Sequence, residues 1–331
     1  MERLIITLCR SISASVHQCI SASVLLCLCV LSTARADLPL TIEDLLTAEK
    51  RWRADVNLVY ANSDRRNVDS RYGTIQTGPG QFISVPVAVG QARQNMDLLA
   101  FSAGVRYGLS LDTELYGRLG AVAQSTRIFD ADGPASNSSQ KFSDSWIGIN
   151  HRLADDNKTP ALLLFGELAL AENVVAEGNE LVHGKSSMIG LTTYRATDPL
   201  VLALTTGYRH NATRTVGNQR ISPGDLLFIN PNIGFAVNHE VTLTTGLQWR
   251  WQQRDTVNGE YQGIRTTKTQ LELGVGYAWS KQTTLQLISR SDITGDSGTE
   301  IGMTFLYKFP SKFSIKPTEK GGDAPEQPST Q

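Results

Sequence analysis

From Val241 to Gln252 the odd positions, Val241, Leu243, Thr245, Leu247, Trp249 and Trp251, are mainly apolar, whereas the even ones, Thr242, Thr244, Gly246, Gln248, Arg250 and Gln252, are polar, charged or glycine. Side chains along a strand point alternately to opposite faces, so a period of two predicts a β-strand with one dry face and one wet face. The same split runs through Trp52 to Tyr60, Gln270 to Trp279 and Glu300 to Phe309. In GVRYGLSLDTELYGRLG, residues 104–120, two alternating runs flank Leu-Ser-Leu-Asp, which predicts an antiparallel hairpin. Val105, Tyr107, Leu109, Leu115 and Leu119 share its apolar face; Arg106, Glu114, Tyr116 and Arg118 share the polar one.

Extended along the chain, the pattern predicts about twelve strands, over 51–63, 97–109, 113–128, 143–154, 159–173, 185–197, 200–214, 225–238, 241–254, 266–280, 283–293 and 298–309. Residues 161 to 171 are apolar on both faces, which leaves the register of strands 159–173 and 185–197 open. The connections alternate between short turns, such as 109–112 and 279–282, and long loops, such as 64–96 and 129–142. An even strand number with short turns on one side and long loops on the other is the organisation of a bacterial outer-membrane barrel. The expected fold is therefore all-β, a transmembrane antiparallel up-and-down barrel with both termini in the periplasm. A soluble secreted sandwich is the competing architecture. Against it, Trp52, Trp249, Trp251, Trp279, Tyr307 and Phe309 stand at the ends of apolar faces, where two interfacial girdles of a membrane barrel would lie.

If the apolar faces meet lipid, the opposite faces line a lumen. The charges expected there are Arg53, Asp55, Arg106, Glu114, Arg118, Arg152, Glu167, Arg209, Arg250, Glu272, Arg290, Glu300 and Lys308. They would set the field of a hydrophilic pathway, or pair across a packed interior; their mixed signs predict weak ion selectivity.

The first 36 residues read as a signal peptide: Arg3 and Arg10, an apolar run from Cys19 to Leu31, and Ala34-Arg35-Ala36 as a small-x-small cleavage site. All four cysteines, Cys9, Cys19, Cys27 and Cys29, fall inside it, so no disulfide is expected after cleavage. The whole chain carries 31 basic and 32 acidic residues, a near balance that argues against a nucleic-acid partner. After the barrel, residues 310–331 form a tail rich in Pro, Gly, Lys and Glu, expected to be disordered in the periplasm.

Three segments carry a family resemblance: DLPLTIEDLLTAEKRWRADVNLVYANSDRR (37–66), YGLSLDTELYGR (107–118) and ISPGDLLFINPNIGFAVN (221–238). They resemble small outer-membrane transporters of the meta-pathway phenol-degradation type, and the barrel of the functional-amyloid export channel. The last strand, Gly302 to Phe309, also resembles the signal by which the barrel-assembly machinery recognises its clients. The resemblance to the exporter implies a helix before the first strand that plugs the pore. Residues 37–50 offer a candidate, with Thr41 as cap, Asp44 at the reciprocal capping position, and Ile42, Leu45 and Leu46 as its apolar side. A periplasmic lead-in that merely orders the chain is the other reading of the same segment.

A barrel enzyme of the phospholipase type is the competing class. It requires a Ser and a His as neighbours on the lipid-facing surface, with a polar group orienting the His. The histidines after residue 36 are His151, His183, His210 and His239; Ser186-Ser187 lie near His183, and no constellation is evident. No metal-ligand spacing or phosphate-binding loop is present, so no cofactor is expected. The expected function is an outer-membrane channel that passes a hydrophilic solute or an unfolded secreted polypeptide, with import of small aromatic compounds as the alternative. Its expected partners are outer-membrane lipid, the assembly machinery and the transported species.

Overall fold

The structure is a computed structural model that describes residues 46–68, 72–86, 90–130, 133–174, 180–294 and 298–310. The leader, most of the tail, and the plug candidates Thr41, Ile42, Asp44 and Leu45 lie outside the described residues. The chain runs through β1 (Trp52–Val68), β2 (Tyr72–Gly78), β3 (Gln81–Pro86), β4 (Gly90–Gly108), β5 (Thr113–Asp130), β6 (Gly133–Ala154), β7 (Ala161–Val174), β8 (Glu180–His183), β9 (Ser186–Thr197) and β10 (Leu200–Asn211). It continues through β11 (Arg214–Val216), β12 (Gln219–Ser222), β13 (Leu226–Ala236), β14 (Val241–Gln252), β15 (Asp255–Val257), β16 (Glu260–Gln262), β17 (Thr266–Ala278), β18 (Thr283–Thr294) and β19 (Gly298–Lys308).

Twelve of these strands close into one antiparallel barrel, in the order β1, β4, β5, β6, β7, β9, β10, β13, β14, β17, β18, β19. The seam is a full ladder between the first and last strands, from Arg53 opposite Lys308 to Ser63 opposite Gly298. Closure leaves no open edge, the condition for backbone in a lipid environment. Each of the twelve overlaps one of the sequence-predicted strands, and the hairpin at 104–120 forms with Gly108 opposite Glu114.

The apolar faces point outward. Val105, Leu109, Leu115 and Leu119 of that hairpin are exposed, as are Leu243, Leu271, Leu273, Val275, Ile301, Met303 and Phe305 across the barrel. So large a continuous apolar surface is not that of a soluble monomer. Five aromatics ring the short-turn end: Trp52 packs on Tyr107 at 4.8 Å, Tyr307 on Phe309 edge-to-face at 5.1 Å, and Trp279 is exposed at its turn. Trp249 and Trp251 stand at the opposite end of the barrel wall, near the end of β14. Placing Arg at Leu273, exposed at mid-strand, is expected to destabilise the barrel in lipid by about 2–4 kcal/mol, the cost of a cation on a lipid face near the midplane. Denaturant unfolding from lipid vesicles measures it; on a water-facing sheet the same change would be nearly neutral.

The ambiguous strand is resolved. Ala161 pairs with Tyr194, and Ala161, Leu163, Phe165 and Glu167 are the buried, inward members of β7. A small four-stranded sheet, β11, β12, β15 and β16, stands at the long-loop end, where Val216, Ile221 and Val257 bury Val174.

Candidate functional site

The 64–96 connection, read from sequence as a loop, contains β2 and β3. They pair only with each other, around a two-residue turn at Pro79-Gly80. Proline presets the backbone of the first turn position, and Gly80, at φ +68°, supplies the left-handed conformation that the second requires. This hairpin sits inside the barrel. On one side Ile75, Ile83 and Val85 pack on Val59, Ala61, Leu98, Ala100 and Val122 of β1, β4 and β5. On another, Phe82 packs with Phe165, Met188, Leu226 and Phe228, its ring 4.8 Å from that of Phe228. Gly190 makes room for this cluster, since a Cβ there would meet Phe165 Cζ at 2.3 Å.

The hairpin shares no ladder with the wall; charged side chains hold it instead. Arg250 Nη1 donates to Thr74 O (2.9 Å), Arg290 Nη1 to Gln76 O (3.0 Å), Arg118 Nη1 to Phe82 O (3.4 Å) and Arg209 Nη2 to Ser84 Oγ (3.1 Å). These arginines come from β14, β18, β5 and β10, so the hairpin is gripped around the lumen. Ser143 Oγ of β6 adds a bond to Ser84 O (2.8 Å).

The predicted lumen charges form three groups. Near the short-turn end, Arg106 joins Asp55 (2.9 Å) to Glu114 (3.1 Å). Arg53, opposite Lys308 in the seam, lies on the same inward face as Asp55. Arg152 sits on the rim and pairs with Asp112 and Asp155. In the second group Arg118 binds Glu167 (2.7 Å), whose Oε1 also accepts from Tyr116, and lies 3.9 Å from Asp144. Beside it Arg209 and Arg214 share Glu172, and Trp146, 1% exposed, lies between Arg118 and Arg209 at 5.0 and 4.7 Å. In the third, Arg290 pairs with Glu272 (2.8 Å) and Glu300 (3.6 Å), and Lys268 with Asp292 and Glu300. Buried charge is tolerated when paired and hydrogen-bonded, as Arg106, Glu167, Glu172 and Glu272 are here, whereas both oxygens of the buried Asp144 have only the 3.9 Å approach of Arg118 and no hydrogen bond among the described residues. The sequence missed Trp146 as an inward residue, along with Asp144, Glu172, Arg214, Lys268 and Asp292.

Of the plug candidates, Leu46 is described. It is not helical, and it packs inside the short-turn mouth on Ala161, Leu163 and Tyr194. The next residue, Thr47, donates its N–H to Glu114 Oε2 (2.7 Å) and its hydroxyl to the same oxygen. Glu114, wholly buried, also accepts from Asn150 (2.8 Å). The chain then passes Gly108 so closely that a Cβ there would lie 2.1 Å from Ala48 O and 2.4 Å from Thr47 O. Gly108→Val is expected to expel residues 46–50 from the mouth while leaving the barrel intact. Limited proteolysis would then cut near residue 50 in the variant and not in the parent.

Chemistry on the outer face is sparse. The β9–β10 register sets Ser187 opposite His210, and Asp225 lies 3.1 Å from His210 Nδ1, an arrangement that sequence spacing did not reveal. No hydrogen bond joins Ser187 to His210 among the described residues, and Ser187 lies within ladders to β7 and β10, where strand N–H groups are engaged and offer no oxyanion donors. Among the described residues no group of three or more His, Cys, Asp or Glu is placed to hold a metal ion.

No protein-family model matches the chain, and no curated protein sequence matches it. Among solved structures it is similar to the COG4313 outer membrane channel from Pseudomonas putida F1, at TM-score 0.56 and 11% identity, covering 80% of this chain and 97% of that one. It is also similar to the translocator domain of the autotransporter NalP from Neisseria meningitidis, at TM-score 0.48 and 13% identity, covering 78% of this chain and 88% of that one. The first likeness is one of fold: a closed antiparallel barrel of the outer-membrane type, filled in this chain by its own β2–β3 hairpin.

Proposed function

We propose that this chain is an outer-membrane channel for a small hydrophilic solute, gated by the β2–β3 hairpin. The apolar belt with aromatics towards both of its edges supports the membrane setting, and the short turns, beside which β1 begins and β19 ends, would face the periplasm. One observation carries the gating: the hairpin fills the lumen yet forms its own two-stranded sheet, so its displacement breaks no backbone bond of the barrel. What holds it is a set of side-chain bonds from the lumen arginines, which water can replace, and two apolar contacts, whose loss on displacement would set the cost of opening.

A small solute is favoured over a polypeptide by the space beneath the hairpin, a cavity of about 230 Å³. Residues 46–50, seated in the periplasmic mouth, act as a second and shallower restriction. Swelling of liposomes reconstituted with the intact protein, in a series of small neutral solutes, tests the reading. Entry that falls off with solute size is expected; no entry of any solute would reject transport.

A further inference from the structure

The outer face of the wall carries a furrow of about 660 Å³ that crosses β5, β6, β7, β9 and β10. Two rows of residues line it. Leu115, Ile149, Gly166, Ile189 and Tyr208 are successive ladder partners, and Ile147, Leu168, Ser187 and His210 form the next row towards the long loops. Leu115 is the third residue of β5, beside its short turn, whereas Tyr208 lies level with Leu227 and Trp251 at the long-loop edge. The furrow therefore crosses the apolar belt obliquely, as the tilt of barrel strands requires. It is about 19 Å long, four spacings of about 4.8 Å between neighbouring strands. Gly166 stands at its centre, where an added Cβ would meet nothing nearer than Met188 O at 3.8 Å.

Exposed aliphatic side chains wall the furrow except at its long-loop end, where polar groups are held in a fixed arrangement. Asp225 Oδ1 accepts from Asn211 N (2.7 Å); its Oδ2 accepts from the Tyr208 hydroxyl and lies 3.1 Å from His210 Nδ1. A carboxylate only accepts, so Nδ1 carries the proton, and in the neutral ring Nε2 is the acceptor left for a ligand. Ser187, opposite His210 across the β9–β10 ladder, adds a hydroxyl. A hydroxyl on the ligand both donates to Nε2 and accepts from Ser187. A carboxylate on the ligand does only the second, and meets the charge of Asp225, whose ionic neighbour among the described residues is His210.

We infer that this furrow binds one acyl chain of an amphiphile whose uncharged head bears hydroxyl groups, the chain lying over Gly166 and the head at Ser187 and His210. The furrow faces the apolar phase along its length, and its volume falls within the roughly 300–1,000 Å³ of small-molecule sites. The convex wall of a second copy would bridge such a trough, whereas a single extended chain fills it. The inference rests on the membrane setting and is independent of transport.

The test is photolabelling of the full-length protein in phospholipid vesicles with a long-chain monoacylglycerol that carries a diazirine at mid-chain, read by peptide mass spectrometry. Label is expected to concentrate on β6, β7 and β9 and to be displaced by excess plain monoacylglycerol. Gly166→Leu, which fills the furrow from a position open to lipid, should cut the displaceable label at least about tenfold, as should Ser187→Ala combined with His210→Ala. The double variant carries the test if Gly166→Leu does not assemble. An ionised fatty-acid probe of the same chain should label the furrow less. Label spread evenly around the wall, label excluded from the furrow as a second copy seated there would cause, equal labelling of the folded variants, or a fatty-acid probe that matches the monoacylglycerol overturns the inference. Because labelling needs no transport, displaceable label without liposome swelling would reject the channel and keep the site, whereas swelling without such label would do the reverse.

Discussion

Replacing residues 72–86 by a short Gly-Ser linker is expected to raise the single-channel conductance of the reconstituted protein by on the order of tenfold, since the hairpin occupies the middle of a twelve-stranded lumen. The barrel should survive the excision. Its closure depends on the β1–β19 seam and the eleven other ladders, none of which includes β2 or β3. Stability should fall, because Phe165, Met188 and Phe228 lose Phe82, and Val59, Ala100 and Val122 lose Ile83 and Val85. Conductance equal to that of the intact protein would place the restriction elsewhere, and the segment that seats Leu46 and Thr47 in the mouth would become the gate.

The second large effect concerns Arg118. Its guanidinium binds Glu167 at 2.7 Å, lies 3.9 Å from Asp144, and donates to Phe82 O of the hairpin. Arg118→Met keeps much of the side-chain length but strands two buried carboxylates, at a cost of about 3–5 kcal/mol. Arg118→Met combined with Glu167→Gln removes one of those charges and should recover part of the loss, the signature of a coupled pair. Unfolding from lipid vesicles checks both. A single variant within about 1 kcal/mol of the parent would mean that water solvates this cluster and that the lumen is open around it.

Much of this architecture is legible in the sequence, for a physical reason: a period of two needs no tertiary information, and closure follows once every strand has one dry face. The inward placement of Arg106, Glu114, Tyr116 and Arg118 follows from it directly. What alternation does not convey is what fills the lumen. Val59 and Ala61 of β1, Leu98 and Ala100 of β4, and Ala161, Leu163 and Phe165 of β7 are apolar at inward positions. Each group faces an inserted segment, the hairpin for β1 and β4, Leu46 and Phe82 for β7. Strands apolar on both faces, which left the register open, are therefore the record of insertion. The hairpin had its own signal in Thr77-Gly78-Pro79-Gly80, a turn sequence in the centre of a long connection. By contrast, the meeting of Ser187 with His210 depends on ladder register between strands, which a single sequence does not encode locally.

The central claim is that the hairpin moves while the barrel stays closed on itself, and a reversible cross-link tests it most directly. Ser143 Oγ lies 2.8 Å from Ser84 O, so Ser84→Cys with Ser143→Cys places a thiol pair between β3 and β6. A chain expressed from residue 37 has no other cysteine. In planar bilayers the reduced protein should show step-like openings, oxidation should abolish them, and added reductant should restore them. Openings of unchanged size and frequency in the oxidised protein would contradict the account.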